Sequence, residues 1–309
     1  MHPGAAVWFA EHTYQSPQWT LADLVCRKGS RRVSVVLPAL DEEATVGSVV
    51  GTVRPLLGSL VEEIVVMDSG STDGTAEAAA RAGARVVHRD DVLPELESWA
   101  GKGEVLWRSL AATSGDVLVF LDADLVDPDP AFVPALLGPI LTRPGTHLVK
   151  GFYHRPLGTD DADGEDGGGG RVTELLARPL LSALRPELSG VVQPLAGEYS
   201  ATREFLSSVP FAAGYGVDIG LLLDAYERYG LDGIAQVNLG VRRHRNRDLR
   251  QLGVMARQIL GTVLRRWGAP AGDAAITQFV RVAGEWLPDT TSVPVDDRPP
   301  MRDVDVSSR

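Results

Sequence analysis

The stretch Val117–Asp124 (VLVFLDAD) is a short apolar run that ends directly in two aspartates, Asp122 and Asp124. Short runs rich in β-branched and aromatic residues are typical of buried strands. In an open α/β sheet, ligands bind outside the carboxyl ends of the strands. Carboxylates placed there suit Mg²⁺ or Mn²⁺ that is shared with substrate phosphates. The stretch therefore indicates a site for a metal and a nucleotide-sugar diphosphate, although an Asp-x-Asp after a strand is more often a simple turn.

The composition narrows the classes of protein. The chain has 309 residues, of which 44% are hydrophobic, enough for one large or two modest domains. It has neither an apolar run approaching the roughly 18 residues of a membrane span nor the basic start and apolar block of a secretory signal. The single cysteine, Cys26, excludes an intrachain disulfide and a Cys-rich zinc site, and a cytoplasmic protein is expected. The net charge of −11 argues against nucleic-acid binding, while the basic cluster Arg242–Arg247 suits a small anion.

The order of predicted elements indicates the fold class. Strands alternate with helices in the first half of the chain, which predicts an α/β fold with a mostly parallel, Rossmann-like sheet flanked by helices. The predicted strands are 33–37, 63–67, 84–88, 116–121, 147–152, 198–202 and 235–239. The predicted helices are 41–57, 76–82, 102–113, 172–184, 217–229 and 249–267.

Polar residues follow the predicted strands where each ends. Glu42 follows the first strand, the turn Asp68–Gly74 (DSGSTDG) follows the second, and the aspartate pair follows the fourth. Their convergence at one sheet edge favours a nucleoside pocket. No Gly-x-Gly-x-x-Gly follows the first strand and no Gly-x-x-x-x-Gly-Lys-Ser/Thr occurs, so a dinucleotide-binding Rossmann site and a P-loop are excluded.

Four other features have two interpretations each. The lysine of Gly101–Gly103 (GKG) either approaches a phosphate or base carbonyl or is a solvated residue at a helix start. The run Gly167–Thr173 (GGGGRVT) is either a flexible linker or an anion site made of helix amides, a guanidinium and a hydroxyl. His244 is more often structural than a metal ligand. Asp218 opens a predicted helix, where an acidic residue is commonly only favourable with the helix dipole.

Taken together, the motifs resemble the actinobacterial glucosyl-3-phosphoglycerate synthases, which are retaining glycosyltransferases of GT-A fold (family GT81) related to mannosyl-3-phosphoglycerate synthases. The resemblance extends over about residues 19–277. The matching stretches are VVLPALDEE (35–43), DSGSTD (68–73), GKGE (101–104), DAD (122–124), GGGRVTEL (168–175), GYGV (214–217) and VRRHRNR (241–247).

The resemblance implies a role for each matching residue. Asp124 and His244 are implied to hold Mg²⁺ or Mn²⁺, and Leu195 and Tyr215 to lie beside the donor sugar. Asp218 and Arg242 are implied to act near the reacting groups. The implied donor-binding residues are Pro38, Ala39, Leu40, Glu42, Ser69, Lys102, Asp122 and Ala123. The implied acceptor-binding residues are Gly170, Arg171, Thr173 and Asn246.

The implied reaction moves glucose from UDP-glucose to the 2-hydroxyl of 3-phosphoglycerate with retention of configuration. We expect same-face attack steadied by a backbone carbonyl near Leu195, because Asp218, the one carboxylate expected near the sugar, has a binding role in the family and is not a nucleophile there. Glu and Asn are usual in the family at the positions of Asp218 and Asp41. The alternatives are therefore another donor (GDP-mannose, GDP-glucose or a UDP-amino sugar) or a nucleotide-sugar-binding protein with a decayed site.

The same resemblance implies a homodimer, and we expect the chain to be organised in four parts. Residues 1–30 are expected to be an N-terminal extension and residues 31–145 a nucleotide-sugar-binding subdomain. An acceptor-binding subdomain with dimerisation helices is expected over 146–288, and a poorly ordered tail over 289–309, where proline and charge dominate. We expect neither a nucleic-acid partner nor a membrane span.

Overall fold

The computed structural model of the chain describes residues 1–154, 170–242 and 248–304. Two predicted site residues, His244 and Asn246, lie outside the described residues. So do Gly167–Gly169 of the glycine run. Within the described ranges, no helix is both long and apolar enough to cross a membrane.

The described strands build one large sheet and two small ones. The large sheet has eight strands in the order β1-β9-β6-β7-β5-β2-β3-β4, and only β7 runs antiparallel to its neighbours. The strands are β1 (Thr13–Tyr14), β2 (Val33–Ala39), β3 (Glu63–Asp68), β4 (Arg85–His88), β5 (Val117–Phe120), β6 (Leu148–His154), β7 (Tyr199–Thr202), β8 (Phe211–Ala212), β9 (Ile234–Val241), β10 (Ala275–Val282), β11 (Glu285–Ser292) and β12 (Asp297–Arg298). The predicted mostly parallel α/β sheet is therefore confirmed, and strands from both predicted subdomains share it.

Helices cover both faces of the large sheet. They are α1 (Pro3–His12), α2 (Leu21–Lys28), α3 (Val46–Val53), α4 (Thr75–Ala82), α5 (Lys102–Ala112), α6 (Phe132–Thr142), α7 (Arg178–Leu184), α8 (Arg203–Ser208), α9 (Val217–Tyr229) and α10 (Leu249–Arg266). A π-helical turn, Thr173–Ala177, leads into α7. Along β5, Leu118 and Phe120 pack into the core on the α5 and α9 side. Val117 and Val119 pack into the core beneath α3 and α6.

The prediction also misses α1, α2 and α8. Two other helices differ from it for identifiable reasons. The helix expected from residue 41 begins at Val46 instead, because Asp41 has a left-handed backbone with φ 56°. Helix α6 (FVPALLGPILT) is not predicted at all. It is buried on nearly every side, so its sequence lacks the amphipathic period by which a helix is recognised.

The predicted poorly ordered tail is wrong for residues 289–304. Strand β11 continues to Ser292, and β12 pairs with β8. The buried Arg298 donates to both carboxylate oxygens of Glu104 at 2.6 and 2.9 Å, and the Trp107 indole donates to the Pro299 carbonyl at 2.8 Å. These contacts fasten the segment to α5, the helix that begins at Lys102. A segment rich in proline and charge is therefore ordered when one of its charged residues pairs with a buried residue of opposite charge.

Candidate active site

A cavity of about 970 Å³ lies at the carboxyl ends of β2, β3 and β5. It collects residues from every predicted motif that the structure describes. The predicted site residues that line it are Pro38, Ala39, Leu40, Glu42, Ser69, Lys102, Asp122, Ala123, Asp124, Gly170, Arg171, Thr173, Leu195, Tyr215, Asp218 and Arg242.

One wall of this cavity carries a connected cluster of five charged residues, namely Lys102, Asp122, Asp124, Asp218 and Arg242. The Lys102 ammonium donates to Asp122 Oδ1 at 2.9 Å, and the Arg242 guanidinium donates to Asp122 Oδ2 at 3.0 Å. Burial alone would raise the pKa of Asp122, but these two cations hold it well below its usual range. Burial would likewise lower the pKa of Lys102, and Asp122 and Asp218 raise it well above its usual range. Lys102 and Asp122 therefore stay ionised, and both oxygens of Asp122 are already engaged.

Asp124 fits a divalent cation better than Asp122 does. Its Oδ1 accepts from Arg242 at 2.9 Å, whereas no described residue donates a hydrogen bond to its Oδ2. Within the described ranges no three His, Cys, Asp or Glu side chains are grouped as a metal cage. A single carboxylate oxygen open to the cavity suits Mg²⁺ or Mn²⁺ that draws its other ligands from phosphate and water. The assignment of His244 as second ligand stays a prediction.

Asp218 lies in the first turn of α9 with its side chain turned into the protein, only 5% exposed. Its Oδ2 is 3.4 Å from the Lys102 ammonium. Its Oδ1 is buried and accepts no hydrogen bond from the described residues. Burial raises the pKa of Asp218 against the opposing attraction of Lys102 and Lys150. A buried carboxyl oxygen without a hydrogen-bond donor is rare in native proteins, so the helix dipole does not by itself explain this cavity-lining residue.

Arg242 is buried and holds other side chains in place. Besides the two aspartates, it donates to the Tyr153 hydroxyl at 2.7 Å and lies 3.2 Å from a Glu198 carboxylate oxygen. Tyr153 and Glu198 are not predicted from the sequence, because only the pairing of distant strands brings them to Arg242. These contacts make Arg242 a positioning residue for Asp122 and Asp124, whereas a direct catalytic role stays a prediction.

Asp41 has a structural role outside the cavity. It does not line the cavity, and its Oδ1 accepts from the Thr72 amide at 2.7 Å and lies 3.2 Å from the Thr72 hydroxyl. The Asp41 amide donates to the Ser71 hydroxyl at 3.0 Å. Residue 41 thus ties the turn after β2 to the turn after β3. An asparagine oxygen accepts the same bonds, so this departure from the family pattern does not bear on the donor.

The part of the cavity where the acceptor is predicted to bind is built on the start of the π-helical turn. Gly170 has φ 82°, a conformation that glycine adopts readily, and its carbonyl accepts from the Glu174 amide at 2.9 Å. Thr173 is buried and Arg171 is exposed at the cavity edge. Single π-helical turns within helices are frequently found at functional sites.

Two further contacts position the Gly214–Gly216 turn, which carries Tyr215. The Tyr215 amide donates to Gln258 Oε1 at 3.0 Å. Gly101 and Gly214 approach so closely that a Cβ at Gly101 would lie 3.0 Å from the Gly214 Cα. The start of α5 and the Gly214–Gly216 turn are therefore packed backbone to backbone. Gln258 carries no sequence signal, because its role depends on how α10 packs.

Comparison with known proteins shows the family to which the chain belongs. The Glycosyl transferase family 2 profile matches residues 34–167. The chain is 61% identical to the glucosyl-3-phosphoglycerate synthase of Mycolicibacterium smegmatis, over 95% of this chain and 97% of that protein. It is 55% identical to a Mycobacterium tuberculosis glucosyl-3-phosphoglycerate synthase crystallised with Mn²⁺, UDP-glucose and phosphoglyceric acid, with a TM-score of 0.87 over 94% of this chain and 98% of that one. A structure of the same enzyme with Mg²⁺ and UDP has the same identity and TM-score. The chain belongs to the glucosyl-3-phosphoglycerate synthase family of GT-A glycosyltransferases.

Proposed function

We propose that this chain transfers glucose from UDP-glucose to the 2-hydroxyl of 3-phosphoglycerate, with retention of configuration and with bound Mg²⁺ or Mn²⁺. The observation that carries the proposal is the single cavity lined by donor, metal and acceptor candidates together. The relative crystallised with Mn²⁺, UDP-glucose and phosphoglyceric acid supports the same three ligands here.

The proposed donor site runs from the strand ends to Asp218. Pro38, Ala39, Leu40, Glu42 and Ser69 would hold the nucleoside, with Asp122 beside them. The Lys102 ammonium contacts Asp122 and Asp218, so it would join the nucleoside end to the sugar end. Asp218 Oδ1, to which no described residue donates a hydrogen bond, would accept from a glucose hydroxyl.

The proposed chemistry needs no covalent intermediate. When bound, the metal supplies charge neutralisation on the leaving diphosphate. The bond from the anomeric carbon to the diphosphate breaks while the acceptor oxygen bonds on the same face, and the proton of that hydroxyl leaves with the diphosphate. Leu195, which lines the cavity, would present its carbonyl to the developing positive charge.

One assay tests this proposal against its alternatives. Purified chain is incubated with UDP-glucose, GDP-glucose, GDP-mannose or a UDP-amino sugar, each with 3-phosphoglycerate and Mg²⁺ or Mn²⁺. We expect turnover with UDP-glucose and an α-linked product by NMR. Faster turnover with another sugar would replace the donor. Donor binding by calorimetry without turnover of any acceptor would instead identify a binding protein with a decayed site.

Arg171→Ala is expected to raise the KM for 3-phosphoglycerate about ten- to a hundredfold. The guanidinium is proposed to bind the anionic acceptor, and hydrogen bonds to charged groups contribute about 1.5–3 kcal/mol. The KM for UDP-glucose should stay within about twofold. Arg185→Ala is the control, because Arg185 lies at the end of α7 and does not line the cavity. Steady-state kinetics that show equal rises in both KM values would remove Arg171 from the acceptor site.

We propose that the chain forms a homodimer through the hairpin of β10 and β11. This hairpin is a separate two-stranded sheet, and such a hairpin is marginally stable without further packing. It exposes Phe279 by 60% and Trp286 by 68%, which is unusual for large apolar side chains on a monomer.

Trp286→Ser is expected to shift the chain from dimer to monomer in sedimentation velocity. Val7→Ser, at an exposed apolar residue of α1, should leave the dimer intact. A monomeric wild-type chain would refute the proposal. The cytoplasmic location stays a prediction.

A further inference from the structure

Lys150 is a buried lysine that the proposed chemistry does not use. It lies in β6 and is 2% exposed. Among the described residues no carboxylate lies within salt-bridge distance of its ammonium, which instead donates to the Ala196 carbonyl at 2.6 Å. The ammonium also lies 4.7 Å from the centre of the Tyr199 ring. Burial lowers the pKa of Lys150 to about 8. Burying a charged ammonium without a carboxylate partner costs free energy. The carbonyl to which Lys150 donates therefore needs an explanation.

The Ala196 carbonyl belongs to the segment Val192–Glu198, which we call the sugar-side loop because it carries Leu195. Other polar contacts fix the two ends of this loop. The Val192 amide donates to Gln236 Oε1 at 2.9 Å, and the Glu198 carboxylate lies 3.2 Å from Arg242. Lys150 holds the middle of the loop from the sheet side.

The direction of one peptide group follows from this contact. The described chain has no cis peptide bonds, and in a trans peptide the carbonyl and the amide point in opposite directions. Because the Ala196 carbonyl points to Lys150, the Gly197 N–H points away from it. Gly197 lines the cavity, and no described residue accepts a hydrogen bond from its N–H. A Cβ at Gly197 would lie 2.4 Å from Asp122 Oδ2, so this backbone passes directly beside the charged cluster.

We infer that Lys150 is a positioning residue for sugar transfer, whose ammonium orients and polarises the Ala196–Gly197 peptide so that the Gly197 N–H binds a hydroxyl oxygen of the donor hexose. A cation on the carbonyl oxygen strengthens the amide of the same peptide as a donor. The inference rests on the proposed function, because it needs a sugar beside Leu195 and Asp122. The group bound by the Gly197 N–H is a hydroxyl of the hexose and not the diphosphate. The affinity for UDP alone should therefore not depend on Lys150.

The test compares three variants. Lys150→Met keeps the length of the side chain but removes both the charge and the hydrogen bond. Lys150→Gln removes the charge but keeps an N–H donor, on a side chain that is one bond shorter. Lys28→Met is the matched control, because Lys28 is also buried (7% exposed) but is paired with Glu62 and does not line the cavity. For each variant we would measure kcat, both KM values, and the affinities for UDP and for UDP-glucose with Mn²⁺ by calorimetry.

Lys150→Met is expected to lower kcat about thirtyfold or more, while the affinity for UDP and the KM for 3-phosphoglycerate stay within about twofold. Lys150→Gln should fall between Lys150→Met and the wild type, and it keeps the test valid if the Met variant does not fold. Lys28→Met should leave all the kinetic constants unchanged. Either of two results would overturn the inference: a kcat within twofold of wild type for both Lys150 variants, or an equal loss of UDP affinity.

Failure of the proposed function can be told apart from failure of this inference. If the wild-type chain turns over no donor, the function fails and the comparison of UDP with UDP-glucose decides the role of Lys150. The wild type should then bind UDP-glucose more tightly than UDP, and the Lys150 variants should lose that difference. If they keep it, Lys150 does not position a sugar-binding amide.

Discussion

Asp124→Asn is expected to lower kcat/KM for glucosyl transfer about a thousandfold without impairing folding. Asp124 offers one carboxylate oxygen that no described residue engages, at the strand end where the diphosphate is proposed to bind. Asparagine retains the shape but loses the charge that attracts a divalent cation. Metal stabilisation of a leaving group contributes several kcal/mol, and about 4 kcal/mol corresponds to a thousandfold change in rate.

The measurement is a titration of activity with Mn²⁺ for the wild type and the variant. Asp127→Asn is the control, because Asp127 lies three residues further along the same loop, is exposed and does not line the cavity. It has φ 51°, which asparagine tolerates as well as aspartate. If Asp124→Asn retains wild-type activity and the same Mn²⁺ dependence, Asp124 is not the metal ligand.

The sequence predicts the large sheet and most of the cavity because both depend on local signals. An apolar run followed by polar residues marks a strand and its functional end in the same few residues, as at Asp122 and Asp124. The strand order cannot be predicted this way. In particular, β7 lies between β5 and β6 with the opposite direction, which depends on contacts between segments about 80 and 50 residues apart along the chain.

The missed features are those in which a buried charge meets a distant partner. The composition around Arg298 predicts a tail, yet Arg298 is buried against Glu104, almost two hundred residues earlier. Glu198 and Tyr153 look ordinary in the sequence until Arg242 lies between them. Lys150 does leave a trace, since it interrupts the apolar strand LVKGF. Its partner, however, is a backbone carbonyl, and a backbone carbonyl has no sequence signature.

Arg242→Met is expected to lower the free energy of unfolding by about 3–5 kcal/mol and to reduce kcat at least about a hundredfold. The change removes the guanidinium that lies 3.2 Å from the fully buried Glu198, and breaking a buried ion pair by removing one partner costs that much. Asp122 and Asp124 also lose a common hydrogen-bond donor. Misplacing a reacting group by about 1 Å costs about a hundredfold in rate.

A double variant separates these two effects of Arg242. Adding Glu198→Gln to Arg242→Met neutralises the buried charge, so chemical denaturation should show that part of the lost stability returns. The activity should not return, because Asp122 and Asp124 still lack the guanidinium that donates hydrogen bonds to both of them. Arg302→Met is the control, since Arg302 is 55% exposed and its pairing with Asp303 should contribute less than about 1 kcal/mol. If the double variant recovers activity together with stability, Arg242 serves only to balance Glu198, and the two aspartates keep their geometry without it.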